Sequence, residues 1–494
     1  MKQKFIFSFF SRKNKVSKFL VILLCLGNTM VQGQDWEQMG TDINGVNNGD
    51  HSGVSVSMSN DGQTIAIGSF SNQDNSTTTG HVRIFSHTGI DWVIKGDPIT
   101  GLDTERGVGS SVSLSGDGNR IAICITSDGT PARNGKIRIF DWNGTSWGQV
   151  GNDLLWHGGS VWMGSVALSN NGQVVAVGDY SYSTSEDFSG QVRLYTLNGN
   201  TWQQRGSSIT GTAGGLTGSA LSISNDGDVF ATNLQDEIQV YRWNETDYVP
   251  KGTILNPFSL KHVTLNGNGN WAAVSGENAN GETENKGAIQ VYKWDGSSWK
   301  PEGIPIQGEP ESRFGHALSF SDDAQVLAIS SISNMETTSP GHVRVFVQNG
   351  SNWEQTGNTI IGPQFLDYYG NSISLNARGN IIGIGAPGYL VSNYGFKDRT
   401  QVFRNDEVMS VPEVNQPEFA LYPNPTTSNF TIELGKEYSN VSIQILDMLG
   451  TVISSTNYKF VKSIEAQING PTGTYFVNVG TSEGFSKSFK FIKN

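Results

Sequence analysis

The chain is 494 residues long, with 60 glycines, 16% charged residues and a formal net charge of −12. That length predicts more than one domain, and a glycine-rich, charge-poor composition suits an all-β protein with many tight turns. An acidic chain with no basic run beyond its first 18 residues is a poor binder of nucleic acid or of anionic membrane surfaces.

Residues 1–33 predict a signal peptide. Lys2, Lys4, Arg12, Lys13, Lys15 and Lys18 precede a short apolar core from Phe19 to Leu26, and Val31-Gln32-Gly33 supplies small residues before a cut at Gln34. The apolar run is too short to span a bilayer, so no transmembrane segment is expected in the mature chain; a retained anchor is the alternative. Losing these six positive charges takes the net charge to −18. Cys124 is then the one remaining cysteine, within the apolar run Ile121-Ala122-Ile123-Cys124-Ile125, and reads as a small core residue with no disulfide partner.

From Trp36 onward one pattern recurs. Trp36, Trp92, Trp147, Trp202, Trp299 and Trp353 each stand four residues before a glycine, and Tyr248 with Gly252 fills the gap. The steps are 56, 55, 55, 46, 51 and 54 residues. Each unit carries four strand signals: an alternating Val-Ser run (Val54 to Met58), an apolar run (Thr64 to Gly68), a third run (His81 to Phe85) and a fourth beginning at the tryptophan. Asn60-Asp61-Gly62 and Asn143-Gly144 typify the short links between them. Four antiparallel strands repeated seven times predict a seven-bladed β-propeller over residues 34–405; a linear β-solenoid is the rival. The chain opens on a lone fourth strand at Trp36 to Ile43, and its last unit ends on a third strand, Thr400 to Phe403. The N-terminal strand is therefore expected to complete the last blade and close the ring.

These units resemble the FG-GAP class of propeller repeat. Phe314-Gly315 resembles the FG half and Gly385-Ala386-Pro387 the GAP half, while Gly53, Gly109, Gly164, Gly218 and Gly370 keep only the glycine. The family often carries calcium loops, but the turns here are too short to wrap an ion and no D-x-[DN]-x-[DN]-G occurs.

After Asn405 the pattern stops. Residues 406–416 read as a linker, and 417–494 as a small Ig-like β-sandwich with alternating runs at Phe430 to Ile432, Val441 to Ile445 and Tyr475 to Val479. This tail resembles the type A C-terminal sorting domain of the type IX secretion system of Bacteroidota. The likeness rests on Leu421-Tyr422-Pro423-Asn424-Pro425, Ile445-Leu446-Asp447-Met448-Leu449-Gly450, Gly473-Thr474-Tyr475-Phe476-Val477 and Lys490-Phe491-Ile492-Lys493. The resemblance implies export through that machinery, then anchoring at the outer-membrane surface or release. An ordinary Ig-like binding domain is the alternative.

No G-x-S-x-G, H-E-x-x-H, Walker loop or C-x-x-C occurs, and the seven histidines lack ligand spacing. No catalytic residue, metal or cofactor is therefore expected. Arg83, Arg138, Arg193 and Arg344 recur on the third strand and read as scaffold contacts, with anion binding the alternative. The long links join strands two to three and four to one, which open on one face of the ring. Ligands usually meet such loops. Two aromatic groups lie there: Trp156, Trp162, Tyr180 and Tyr182 with Phe188, and Phe365, Tyr368, Tyr369 and Tyr389 with Tyr394 and Phe396; they read either as ligand contacts or as local loop packing. The expected function is a secreted or surface protein binding a glycan or a protein on that face. Alternatives are a polysaccharide hydrolase or lyase using carboxylates among Asp103, Glu105, Asp179, Glu186, Asp187 and Asp367, or a structural adhesion component.

Overall fold

The structure, a computed structural model, describes residues 35–494 other than 48, 71–78, 103, 128–133, 157–163, 184–187, 236, 255–257, 280–285, 311, 333–339, 365–366, 389–397, 411–419, 449–450, 469 and 482–485. The expected signal peptide lies outside the described residues.

Seven antiparallel sheets follow one another as blades, and an eighth sheet forms the C-terminal module. Blade 1 runs Ser52–Met58, Thr64–Ser69, His81–His87 and Trp92–Ile94, from the ring axis outward. In the last blade Ser372–Leu375, Ile381–Ala386 and Arg399–Arg404 are completed by Glu37–Gln38 from the N-terminus, with Gln38 opposite Phe403. Met39 N–H donates to the Val402 carbonyl at 2.7 Å. The ring is thus fastened by pairing its first and last segments, as the odd strand count predicts, and both edges are covered.

The repeated letters are contacts between blades, at three radii. At the axis the turns between first and second strands form a closed circle of backbone hydrogen bonds. Asn60 N–H donates to Gly116, Gly116 to Asn170, Asn170 to Asn225, Asn225 to Gly267, Gly267 to Asp322, Asp322 to Ala377 and Ala377 back to Asn60, at 2.8–3.2 Å. The asparagine side chains crowd this centre: a Cβ on Gly116 would sit 1.4 Å from Asn170 Oδ1. The inner-strand serines act here too. Ser57, Ser113, Ser222, Ser319 and Ser374 each accept the N–H of Leu114, Leu168, Leu265, Leu375 and Met58 on the next blade. The alternating serine face therefore bonds to a neighbour instead of facing water, which satisfies N–H groups on strands that have no further ladder partner.

Midway out, glycines meet. A Cβ on Gly68 would fall 2.0 Å from the Gly109 carbonyl, and one on Gly385 would fall 2.1 Å from the Gly53 carbonyl. At the rim, indole N–H groups of Trp92, Trp147 and Trp202 donate to the carbonyls of Met39, Lys95 and Val150 on the preceding blade. The glycine four residues after each tryptophan explains the spacing. Gly96, at φ +77, turns the outer strand and leaves room for Trp142 and Trp147 of the next blade, whose nearest atoms would lie 2.6 and 3.2 Å from a Cβ.

The recurrent arginines are scaffold within and between blades. Arg138 pairs with Asp153 at 2.8 Å in its own blade and with Glu105 at 3.0 Å in the preceding link, where Lys136 also reaches Glu105 at 2.6 Å. Cys124 is fully buried, and burial pushes its thiol up to about 12.

The first residues of the segment expected as a linker have regular structure. Asp406–Ser410 forms a 3-10 turn, and Val408 packs into the apolar core shared by the last two blades. In the C-terminal module Ala420–Tyr422, Asn429–Leu446, Val452–Gln467, Gly473–Thr481 and Ser486–Lys493 form one sheet around a core that includes Phe430, Tyr438, Ile443, Tyr475, Val477 and Phe491. The long second strand shifts register between Glu433 and Tyr438. Such a shift lets one strand serve both halves of a sandwich-like fold.

Candidate functional site

The turns between first and second strands are short and tied into the axial circle. The other face of the ring is where blades differ, so it is the candidate binding face. One backbone position displays the difference. Two residues before the repeat glycine the chain adopts positive φ: His51 (53°), Gly107 (65°), Leu216 (47°), Arg313 (47°) and Tyr368 (57°). A non-glycine residue in that region costs free energy, yet four of these five carry a side chain, each a different one.

At the junction of blades 3 and 4, Phe188 (φ 47°) and Leu216 lie side by side, with Leu216 N–H donating to the Phe188 carbonyl at 3.2 Å. They are 49% and 42% exposed, in a backbone geometry that apolar residues rarely adopt. Leu102 and Val46, in the corresponding links of other blades, are also exposed.

Charged groups gather where the last blade meets blade 1. Asp398 Oδ2 accepts the Ser52 N–H at 3.3 Å, and burial pushes its carboxyl up to about 6. Arg83 donates to the Asn44 carbonyl at 2.8 Å and to Ser52 Oγ at 3.1 Å, and burial lowers its guanidinium. His51 Nδ1 lies 3.1 Å from the Pro387 carbonyl, and burial lowers its imidazole. Nearby in the last blade, Asp367 is fully buried, accepts the Tyr369 N–H at 3.1 Å, and is pushed up to about 6 by burial. Arg399 approaches Asp42 at 3.5 Å. These groups hold the seam and keep their polar atoms turned inward.

The two aromatic groups expected to bind ligand divide. Trp156 and Tyr369 are core residues, at 1% and 0% exposure. Trp156 is flanked by Gly135 and Gly164, where any Cβ would strike its indole, and Tyr369 lies against Gly362 in the same way. These two serve packing, because glycine clears space for each ring. Tyr180, Tyr182 and Tyr368 are half-buried on the loop face. Trp162, Phe365, Tyr389, Tyr394 and Phe396 lie outside the described residues. Among the possible acids, Glu105 is neutralised by Lys136 and Arg138, and Asp179 and Asp367 are internal; Asp103, Glu186 and Asp187 lie outside the described residues. No group of three or more His, Cys, Asp or Glu among the described residues could hold a metal ion. Leu216 escaped the sequence reading. Its signal was Gly107 at the same repeat position, which marks a backbone needing positive φ.

In the C-terminal module the motif residues converge on the last strand. Asn424 Nδ2 donates to the Lys490 carbonyl at 2.8 Å and its Oδ1 accepts the Ile492 N–H at 2.9 Å. Lys493 Nζ donates to the carbonyls of Gly470 and Ile468 at 2.6 and 3.1 Å. Tyr475, opposite Phe491, donates to the Pro471 carbonyl, and Gly473 stands opposite Lys493. Tyr422 is half exposed and donates to Glu433, between Pro423-flanked Asn424 and the sheet. Asp447 Oδ1 accepts the Thr451 N–H, and Gly450 lies outside the described residues.

The family model for the secretion system C-terminal sorting domain matches residues 420–494. No curated protein matches the chain. Among solved structures it is similar to hydrazine synthase of Kuenenia stuttgartiensis, at 13% identity and TM-score 0.47, over 75% of this chain and 99% of that one. It is also similar to a chain of a mitotic checkpoint complex, at 13% identity and TM-score 0.46, over 81% and 98%. Both TM-scores are below 0.5, so neither protein's activity bears on this one. No helix among the described residues is long and apolar enough to cross a membrane. Residues 420–494 are thus a type IX secretion system C-terminal sorting domain, and the chain is a secreted protein whose cargo is a seven-bladed β-propeller.

Proposed function

We propose that the secreted propeller binds a protein partner through its loop face, at the cell surface or after release. The observation that carries this reading is the Phe188–Leu216 pair. Two large apolar side chains stand exposed on backbone segments joined by a hydrogen bond, each held at positive φ. Exposed apolar groups on a rigid scaffold mark interaction sites, and aliphatic Leu216 offers a sugar hydroxyl no hydrogen bond. The opposite face supports the same choice in part, since its turns between first and second strands are tied to one another around the axis. Binding is favoured over polysaccharide cleavage because the described candidate acids are buried or already paired.

The test places a photo-cross-linking residue at 188 or 216 of the full-length protein in the producing cells, with Ile90 and Ile304 as exposed apolar controls off that face. A polypeptide captured from 188 and 216 but not from 90 and 304 is expected. Equal capture at all four positions refutes the site. Binding on a glycan array that is lost in a Phe188→Ser, Leu216→Ser variant would make the ligand a sugar instead.

A further inference from the structure

The sorting domain presents an outward row that its own fold does not use. Leu446 stands opposite Phe476, and Phe476 opposite Lys490, on three adjacent strands. Directly opposed residues point to the same side of a sheet. The chain neighbours Ile445, Tyr475, Val477 and Phe491 point the other way and fill the core. Ile492 shares the outer side with Lys490, two residues along the strand. Phe476 and Ile492 are each 39% exposed, and Val452, opposite Leu446, is 48% exposed.

Three of the motifs that carry the family likeness supply this row: Leu446 from the second, Phe476 from the third, Lys490 and Ile492 from the fourth. The first motif acts behind it. Asn424 holds both sides of Phe491 through the Lys490 carbonyl and the Ile492 N–H, and Thr426 N–H donates to the Ile492 carbonyl at 2.9 Å. That clasp fixes Lys490 and Ile492 at the end of the row. Asn424 is a positioning residue; the outward side chains make the contact.

The geometry points to this row as the surface by which a receptor of the export machinery reads the domain. The receptor is a protein with an apolar groove for Phe476 and Ile492 and an acidic group facing Lys490. Charge separates signal from cargo: residues 420–494 hold six lysines against five carboxylates, while the whole chain carries −12. An acidic receptor therefore repels the cargo but not the nearly neutral signal, whose Lys490 it can pair with. The inference rests on the export role of residues 420–494 and is independent of the propeller's ligand.

The test expresses the full chain in a Bacteroidota cell with a working type IX system and measures the fraction outside the cell against the fraction retained in the periplasm. Phe476→Ser with Ile492→Ser, and separately Lys490→Glu, are expected to lower the exported fraction about tenfold or more. Phe476→Leu and Lys490→Arg keep export, which separates contact from folding. Phe460→Ser, at an exposed apolar position off the row, leaves export unchanged. Wild-type export of the Phe476, Ile492 double variant overturns the inference if deletion of 420–494 still blocks export. An equal fall with Phe460→Ser also overturns it. Export surviving the deletion overturns the export role itself, and the row with it.

Discussion

Replacing Asp367 by asparagine is expected to stabilise the ring at neutral pH. Asp367 is fully buried, and burial raises its carboxyl from 3.8 to about 6. In the unfolded chain the group titrates near its ordinary value of about 3.9. Between these values the folded state keeps a proton that the unfolded state has lost. Stability from this residue is therefore highest below about pH 4, falls as pH rises to about 6, and stays low above it. Roughly two units at about 1.4 kcal/mol each place the neutral-pH cost near 3 kcal/mol. Asparagine keeps the acceptor used by the Tyr369 N–H. Its amide adds a buried N–H that lacks a partner, at a cost of about 1 kcal/mol. The net gain is about 2 kcal/mol above roughly pH 6.5, and no gain remains near pH 4. Denaturant unfolding of the full-length protein and the variant, from about pH 4 to about pH 7.5, reads this directly. The difference between them should climb through about pH 5 and then level off. A variant less stable than wild type at neutral pH would refute the reasoning, because it would mean an ionised carboxylate held by Arg399. Asp398, raised to about 6 by the same cause, gives the same sign and accounts for slope that remains.

Three further outcomes test the scaffold. Trp92→Phe loses the bond to the Met39 carbonyl and should cost about 1 kcal/mol more than Trp299→Phe, whose indole N–H has no partner, in paired denaturant titrations. Gly109→Ala meets the His81 carbonyl at 2.8 Å in addition to its φ of +88, so it should lower the melting temperature well beyond Gly144→Ala, which has φ +101 and open space. Glu105→Ala strips Lys136 and Arg138 of a shared, buried counter-charge and should cost about 3 kcal/mol; a loss under about 1 kcal/mol would show that Asp153 alone suffices.

The architecture was readable because the repeat states it many times over. Strand count, blade number and the return of the N-terminal strand beside Arg399–Arg404 follow from seven copies of one pattern, where errors in a single copy do not matter. The sorting domain was readable for a different reason: four ordered motifs occupy one short tail. The site was not readable. Trp156 and Tyr369 look like binding aromatics because they stand in long links, but the glycines that bury them, Gly135, Gly164 and Gly362, are distant in sequence or unremarkable beside the chain's other glycines. Aromatic character alone cannot distinguish a ring under a loop from a ring on it. The seam carboxylates were hidden likewise, since Asp367 and Asp398 lie 31 positions apart and their burial depends on the ring having closed.

The role of each repeated letter also says where a ligand can be read. Serine, the two glycines and the tryptophan each contact the adjacent blade, so changing one disturbs two blades at once. Such positions cannot diverge without cost to the ring. Binding specificity must then come from positions that keep a backbone role while leaving the side chain outside these contacts. The residue two before the repeat glycine meets that condition at Leu216, Arg313 and Tyr368: its φ is near 50° in all three while the side chain differs among them. His51 is the exception, buried at the seam and held against Pro387. If the loop face binds as proposed, exchanging the side chains of Leu216 and Arg313 should alter partner choice with little change in unfolding midpoint, since each position already holds the same backbone geometry. An exchange that instead melts the ring would show that these side chains belong to the scaffold, and would move the search for the ligand to the outer rim.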